Sequence, residues 1–459
     1  MRVETIQIHW HATEAQPCMP VFSLDAGPDG RLATGGADNH VRVWRVEWPA
    51  DGAAHVRHLA SMDRHTGAVN CVRFAKDGRI ASGSDDKYVF VWKRSEGGAA
   101  PSEGSEEAWV VSQVLSGHSS DVTSVAWSPT SARIVSGEVQ HKVIVWDAAS
   151  GEQIYVFKQH SKLVKGVAWD PLDQFIVSTS CDKTCNVYQI ESGRVVSAKP
   201  KVLPSFAGDS IMALFRRPTW SPDGTFLVTP TGVHDSTSCT FLWHRRYLDK
   251  PLYIYSSPHR HTVATAFSPV LYKLQSTAKV HDGLPSYRMV FAVAYRDGVV
   301  IYDTERDLPL ASIAGLHYMP ITDLAWAPDG CTLFVSSAEG FVSAITFDPS
   351  DIGEVVCGEV RDAAVLEVDP SPQSPSKSDT KGLARGSDTS TVITPTKGPR
   401  RITPELITTS SEPEVRPVSS PPVSESRPVS TPSQPESQPV NVLQPRRVPL
   451  VFMGSRAGP

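Results

Sequence analysis

The sequence predicts an all-β chain, a seven-bladed β-propeller over residues 1–350 followed by a disordered tail over 351–459. Three observations carry this reading: a pattern of short strands recurs seven times, each recurrence closes on an aromatic residue, and the composition changes abruptly after Pro349. Repeats of this period mark units that cannot bury an apolar face alone and must stack on their neighbours.

The repeat is plainest in three stretches, HTGAVNCVRFAKDGRIASGSDDKYVFVWK at 65–93, HSSDVTSVAWSPTSARIVSGEVQHKVIVWD at 118–147 and HSKLVKGVAWDPLDQFIVSTSCDKTCNVYQ at 160–189, which align almost without gaps. Each reads as an alternating strand, a Pro/Asp/Gly turn, a small-residue strand, an Asp turn and a β-branched strand. The closing aromatics are Trp44, Trp92, Trp146, Tyr188, Trp243, Tyr302 and Phe347, spaced 42 to 59 residues apart, and they give seven blades. Fourth strands fall at 55–61, 108–116, 152–158, 193–199, 251–257 and 308–314. The seventh blade, 321–347, is one strand short, and the alternating N-terminal segment 3–10 supplies it. That pairing closes the ring and removes open sheet edges.

Within a unit the spacing is stricter. Thr34/Asp38/Trp44, Ser82/Asp86/Trp92 and Ser178/Asp182/Tyr188 all keep four and then six residues. These units resemble the WD-repeat family. The resemblance implies hydrogen-bonded tetrads drawn from His65, Ser82, Asp86 and Trp92, from His118, Ser136 and Trp146, and from His160, Ser178 and Asp182. Ser, His and Asp are also the ingredients of a nucleophilic triad. A catalytic site occurs once per domain, however, whereas a constellation repeated in blade after blade satisfies buried turn and strand groups. No enzyme activity and no cofactor are expected.

Composition narrows the function further. A net charge of −5 without acidic or basic blocks disfavours bulk attraction to nucleic acid or to an anionic membrane. The start MRVETIQIHW lacks the apolar run of a signal peptide or membrane span, so an intracellular, soluble protein is expected. Seven scattered cysteines fit reduced thiols, and Cys181 and Cys185 lack the further ligands of a zinc site. Decoration is expected at 95–108, a Gly/Ser/Glu-rich loop too polar to pack, at 205–217 (SFAGDSIMALFRR) and at 270–287.

Irregular blocks carry a closer resemblance. FRRPTWSPDGTFLVTPTG at 215–232, YRMVFAVAYRDGVVIYDT at 287–304, HYMPITDLAWAPDGCTLFVSSAEGFVSAITF at 317–347 and the start IQIHWH with PVFSLDAGPDGRLATGGADNHVRVWRVE resemble the family of the WD-repeat middle subunit of chromatin assembly factor 1, over residues 1 to 350. The resemblance implies a nuclear, non-catalytic subunit that joins a large subunit and a small WD-repeat subunit to deposit histones H3/H4 on newly replicated DNA. Phe215, Arg216 and Arg217 are the candidate subunit contact, because arginine and aromatics are enriched at interfaces, although an arginine pair beside a buried phenylalanine is as often structural.

Between 370 and 459 the chain holds 17 of its 37 prolines, amid Ser, Thr, Gln and Glu, so function there must lie in short motifs that order on binding. PRRITPELI at 399–407 and PRRVPLVFM at 445–453 repeat one pattern. Arg400 and Arg401, or Arg446 and Arg447, can pair with carboxylates, while Ile402 and Leu406, or Val448 and Leu450, enter an apolar groove as an added strand stiffened by Pro404 or Pro449. The pattern resembles the B-domain-like motif by which this family and the histone regulator A family dock the anti-silencing function 1 histone chaperone. Ser371, Ser374, Thr394, Thr403, Ser420 and Thr431 precede proline and look like sites for proline-directed kinases. A phosphate on Thr403 would pair with Arg400 and Arg401 and withdraw them from a partner.

Two rivals remain at the level of sequence. A ubiquitin-ligase substrate receptor commonly carries an arginine two residues after the Trp-Asp aspartate, where this chain has Ala149, Glu305 and Ser350. A histone regulator A type subunit would keep the docking motif but requires a long further C-terminal region.

Overall fold

Segments of alternating or β-branched residues punctuated by Asp/Gly turns leave little choice but short antiparallel strands, and nearly every element formed is one. The computed structural model describes residues 1–356, except 49–53, 96, 98–99, 192–193, 198, 209–212, 258–260, 276–284 and 307, and then residues 450–452. Among these residues the strands form seven sheets. Blade one runs through strands Val21–Ala26, Arg31–Gly36, Val41–Glu47 and His55–Met62, and blade two from Val69–Phe74 to Trp109–Leu115. Blades three to six begin with inner strands Val122–Trp127, Val164–Trp169, Thr219–Trp220 and Thr262–Phe267. Blade seven has only Ile321–Trp326, Thr332–Ser337 and Val342–Thr346 of its own. Its fourth strand is Arg2–Ile6, antiparallel to Val342–Thr346 with Ile6 opposite Val342 and Arg2 opposite Thr346. Each inner strand lies beside the inner strand of the next blade, and that of blade seven lies beside that of blade one.

Six inner strands share one irregularity near their start, a register shift between Val21/Ser23, Val69/Cys71, Val122/Ser124, Val164/Gly166, Thr262/Ala264 and Ile321/Asp323. A bulge re-aims one side chain. Here it turns Asn70, Thr123 and Thr322 onto the next blade, where they donate to the carbonyls of Val122 (3.0 Å), Val164 (2.7 Å) and Val21 (2.6 Å). The blades are thus joined by polar contacts near the axis as well as by the apolar clusters between sheets.

Two details differ from the reading of the sequence. In blade four the described residues of 193–199 do not form the outer strand. Arg194–Val195 folds straight back on Ile190–Glu191, and Lys201–Leu203 returns to pair with Cys185–Val187. The end of the polar loop of 95–108 makes contacts with the ring: the amides of Glu106 and Glu107 both donate to the carbonyl of Leu59 at 2.8 Å, and Glu107 accepts from Arg31, while residues 101–104 are exposed. Glu106 and Glu107 find partners on blade one in Arg57 and Arg31.

Candidate functional site

The repeated polar clusters are assembled the same way in each regular blade. In blade two, His65 Nε2 lies 2.7 Å from Ser82 Oγ and its Nδ1 lies 2.7 Å from Asp86 Oδ2, while Trp92 Nε1 donates to Ser82 Oγ at 2.8 Å. Because the indole can only donate, a neutral ring accepts the Ser82 hydroxyl proton at Nε2 and keeps its own proton on Nδ1 for the aspartate. Asp86 also holds the turn: its other oxygen accepts from the amide of Tyr88, fixing the intervening Lys87 at φ 74°. Blade four repeats this with His160, Ser178 and Asp182 at 2.7 and 2.8 Å, closing on the buried Tyr188. Burial alone would raise the carboxyls of Asp86 and Asp182, but the histidine and turn hydrogen bonds outweigh it and hold both below the usual carboxylate range.

Three members of this system escape a spacing rule. Blade three has no aspartate at the expected place. Glu138, two residues earlier, reaches His118 Nδ1 at 3.0 Å, with Ser136 between His118 (2.6 Å) and Trp146 (2.7 Å). Its carboxyl, which burial would raise, is held at about 2 by His118 and the Ser119 amide. Blade one uses His11, 23 residues before Thr34 where the other blades use 17 or 18, with Asp38 at 2.6 Å and Thr34 at 2.9 Å. Blade seven pairs His317 with Glu339 at 2.6 Å and with Ser343 at 3.1 Å. The repetition and burial of these groups mark them as braces of the ring.

A second buried system crosses the ring, and it corrects the expectation for 215–217. Arg216 is fully buried. It donates to the carbonyls of Ser180 and Ala207 at 3.0 and 2.6 Å, and its own carbonyl runs so close to Gly166 that any Cβ there would clash. Arg217, equally buried, lies at the entry to blade five, and its backbone bonds Val263 and Thr265 of blade six. Its side chain reaches the carbonyls of Phe22 in blade one (3.1 Å), Asn70 in blade two (2.8 Å) and Thr322 in blade seven (3.3 Å). Nε also lies 3.3 Å from Asp323 Oδ1, and the guanidinium covers the ring of Phe215, itself buried. Such residues offer a partner no surface. The signal that misled is composition: an arginine pair reads as exposed unless distant carbonyls are known to converge on it.

Asp323 is the centre of this cluster, taking Arg73 at 2.9 Å and the Ser23 hydroxyl at 2.7 Å as well as Arg217. Nearby Asp25 accepts from backbone, with the amide of Phe74 at 2.7 Å. Burial pushes the Asp25 carboxyl up to about 6, against the pull of Arg73. A folded-state value above the ordinary 3.8 means that ionisation costs stability as pH rises through the window from about 4 to 6, and the cost persists above it. Asp25→Asn, whose amide oxygen can still accept from Phe74, is therefore expected to stabilise the ring by on the order of 2 kcal/mol at pH 7.5 and by little at pH 4. Urea unfolding at the two pH values checks this, and a variant less stable at pH 7.5 would refute it.

The tail residues divide. Arg400, Arg401, Ile402, Pro404 and Leu406 lie outside the described residues, as do Arg446, Arg447 and Val448 and the six Ser/Thr-Pro positions Ser371, Ser374, Thr394, Thr403, Ser420 and Thr431. Leu450 begins the strand Leu450–Phe452, which pairs with Ala311–Ile313 of blade six. Among the described residues no cluster of three or more His, Cys, Asp or Glu could hold a metal ion, and no helix is long and apolar enough to cross a membrane.

Seven sheets closed by an N-terminal strand, with histidine–carboxylate–hydroxyl–aromatic braces recurring in the regular blades, define a WD-repeat β-propeller. A family model described as the CAF1B/HIR1 beta-propeller domain matches residues 1–352, and the chain belongs to that family. The B subunit of chromatin assembly factor 1 from Gallus gallus is 34% identical over 468 aligned positions, covering 92% of this chain and 81% of the chicken protein. The Saccharomyces cerevisiae protein of the same name is 31% identical over 408 positions, covering 76% of this chain and 86% of its own length. Protein HIR1 of Eremothecium gossypii is 28% identical over 384 positions, which span 75% of this chain but 46% of that protein.

Proposed function

We propose that this chain is a nuclear, non-catalytic scaffold subunit of a chromatin assembly factor 1 type complex, which places histones H3/H4 on newly replicated DNA. The observation that carries the reading is the membership of residues 1–352 in the CAF1B/HIR1 propeller family, together with relatives of that subunit name matching into the tail. The buried polar chemistry agrees with a scaffold role, because its histidines, carboxylates and arginines are consumed in holding strands and blades together. Large and small subunits of the complex are the partners on the ring side. The anti-silencing function 1 chaperone docks on the tail, where Arg400 and Arg401 pair with acidic groups and Ile402 and Leu406 add to a sheet edge. Histones are reached directly or through these partners, without sequence-specific contact to DNA.

Affinity purification of the intact chain and of an Arg400→Ala/Arg401→Ala variant tests this. The intact chain retains the large subunit and the histone chaperone. The variant keeps the large subunit and binds the chaperone at least about tenfold more weakly, since each charge-assisted contact contributes about 1.5–3 kcal/mol. Absence of both partners from the intact chain would overturn the assignment.

A further inference from the structure

Among the described residues, one sheet of the ring carries a strand from outside the propeller. Blade six runs Thr262–Phe267, Val290–Tyr295, Gly298–Asp303 and Ala311–Ile313, and beyond the last of these lies Leu450–Phe452, antiparallel, with Ile313 opposite Leu450, Ser312 opposite Val451 and Ala311 opposite Phe452. Blade four also has five strands, but all of them come from its own stretch of chain. We propose that the outer edge of blade six is a strand-accepting site whose occupant is this chain's own segment 450–452.

The character of the edge supports this. A sheet edge is a template for unwanted pairing unless it is charged, short or covered. Blade one is covered by 102–107: besides the contacts to Leu59, Ser105 Oγ accepts from the amide of Ser61, and Glu106 pairs with Arg57 of the outer strand. Blades two and three interlock through Gln113 and Gln153, which donate to the carbonyls of Ser150 and Ser116. The outer strand of blade six is Ala-Ser-Ile, preceded by Leu310 and by Leu308, which is 70% exposed, and it carries no charge. An uncharged edge suits an uncharged, β-branched segment, and 448–452 (VPLVF) is one. In sequence, its proline precedes the first paired residue, Leu450.

Docking in cis pairs a segment that begins 94 residues beyond Val356 with the ring. Closing so long a loop costs only slowly more entropy with length, so a short three-residue pairing can persist while remaining easy to open. The strand lies in the second arginine-pair motif, so the backbone edge that pairs with blade six is closed to a partner's sheet while it is docked. The proposal does not depend on the family-based reading of function.

The test is amide hydrogen exchange on the full chain, comparing wild type, Val451→Pro and a control, Asn441→Pro, placed outside the strand. Val451→Pro should speed exchange at Ala311–Ile313 about tenfold, while the control and the other six blades, which report an intact ring, stay as in wild type. Equal exchange at Ala311–Ile313 in all three proteins overturns the proposal. Protection in the wild type that fades on dilution also overturns it, by placing a second copy's segment on the edge.

Discussion

A chain lacking residues 2–10 is expected to lose most of its folding stability, with a melting temperature at least about 10 °C below that of the intact protein. Three losses add up. The strand Arg2–Ile6 takes with it the whole outer ladder of Val342–Thr346, together with the Thr5–Ser343 hydroxyl contact at 2.8 Å. Trp10 is wholly buried against Trp44, with ring centroids 5.0 Å apart and its indole N–H on the carbonyl of Ile6. Removal of a buried tryptophan alone costs about 3–5 kcal/mol, comparable with the total stability of many domains. The third loss is topological, because this strand joins the chain's start to its last blade, and without it blade seven presents an unpaired edge. Trp10→Ala separates the effects: it should cost the tryptophan's share and leave the closure in place. Calorimetry of both variants is the measurement, and a truncated chain melting within a few degrees of the intact one would refute the closure.

That closure could be read from the sequence because it rests on arithmetic, a seventh blade one strand short and an alternating segment left over. The tetrads of blades two and four were legible for the same reason, since His65, Ser82, Asp86 and Trp92 keep a spacing that a hairpin imposes. Where a longer side chain or loop does the same job, spacing fails: Glu138 substitutes for an absent aspartate by its extra methylene, and His11 lies behind the loop that leads into blade one. The outer strand of blade four was misplaced because GRVVSAK has the right composition in the wrong register, with the true strand a few residues on. The segment 205–217 was the least legible. Arg217 is defined by carbonyls 105 to 195 residues away, which nothing local in the sequence announces. The function of the tail is legible only as motif resemblance, because short motifs that order on binding carry no repeat period of their own.

Arg217→Ala is the second large effect, expected to destabilise the ring by about 3–5 kcal/mol, as does breaking one side of a buried charge cluster. The side chain leaves behind the carbonyls of Phe22, Asn70 and Thr322, and an Asp323 carboxylate supported by Arg73, Ser23 and the amides of Leu24 and Leu324. Arg217→Lys keeps the charge, but a compact ammonium cannot span blades one, two and seven as the planar guanidinium does, so it should recover only part of the loss. The pH dependence distinguishes this account from a simple cavity. Burial would raise the Asp323 carboxyl, and the charges of Arg217 and Arg73 hold it low instead. Without Arg217 its value rises, and the loss relative to wild type grows as pH increases from the wild-type value to the raised one and then stays constant. The gap between wild type and Arg217→Ala should therefore be wider at pH 7.5 than at pH 5. Adding Asp323→Asn removes the stranded charge, so the double variant should be more stable than the sum of the two single losses predicts, by at least about 1 kcal/mol in a double-mutant cycle. Additive losses with no pH dependence would mean that Arg217 acts by filling space, and the electrostatic bracing of the ring would have to be abandoned.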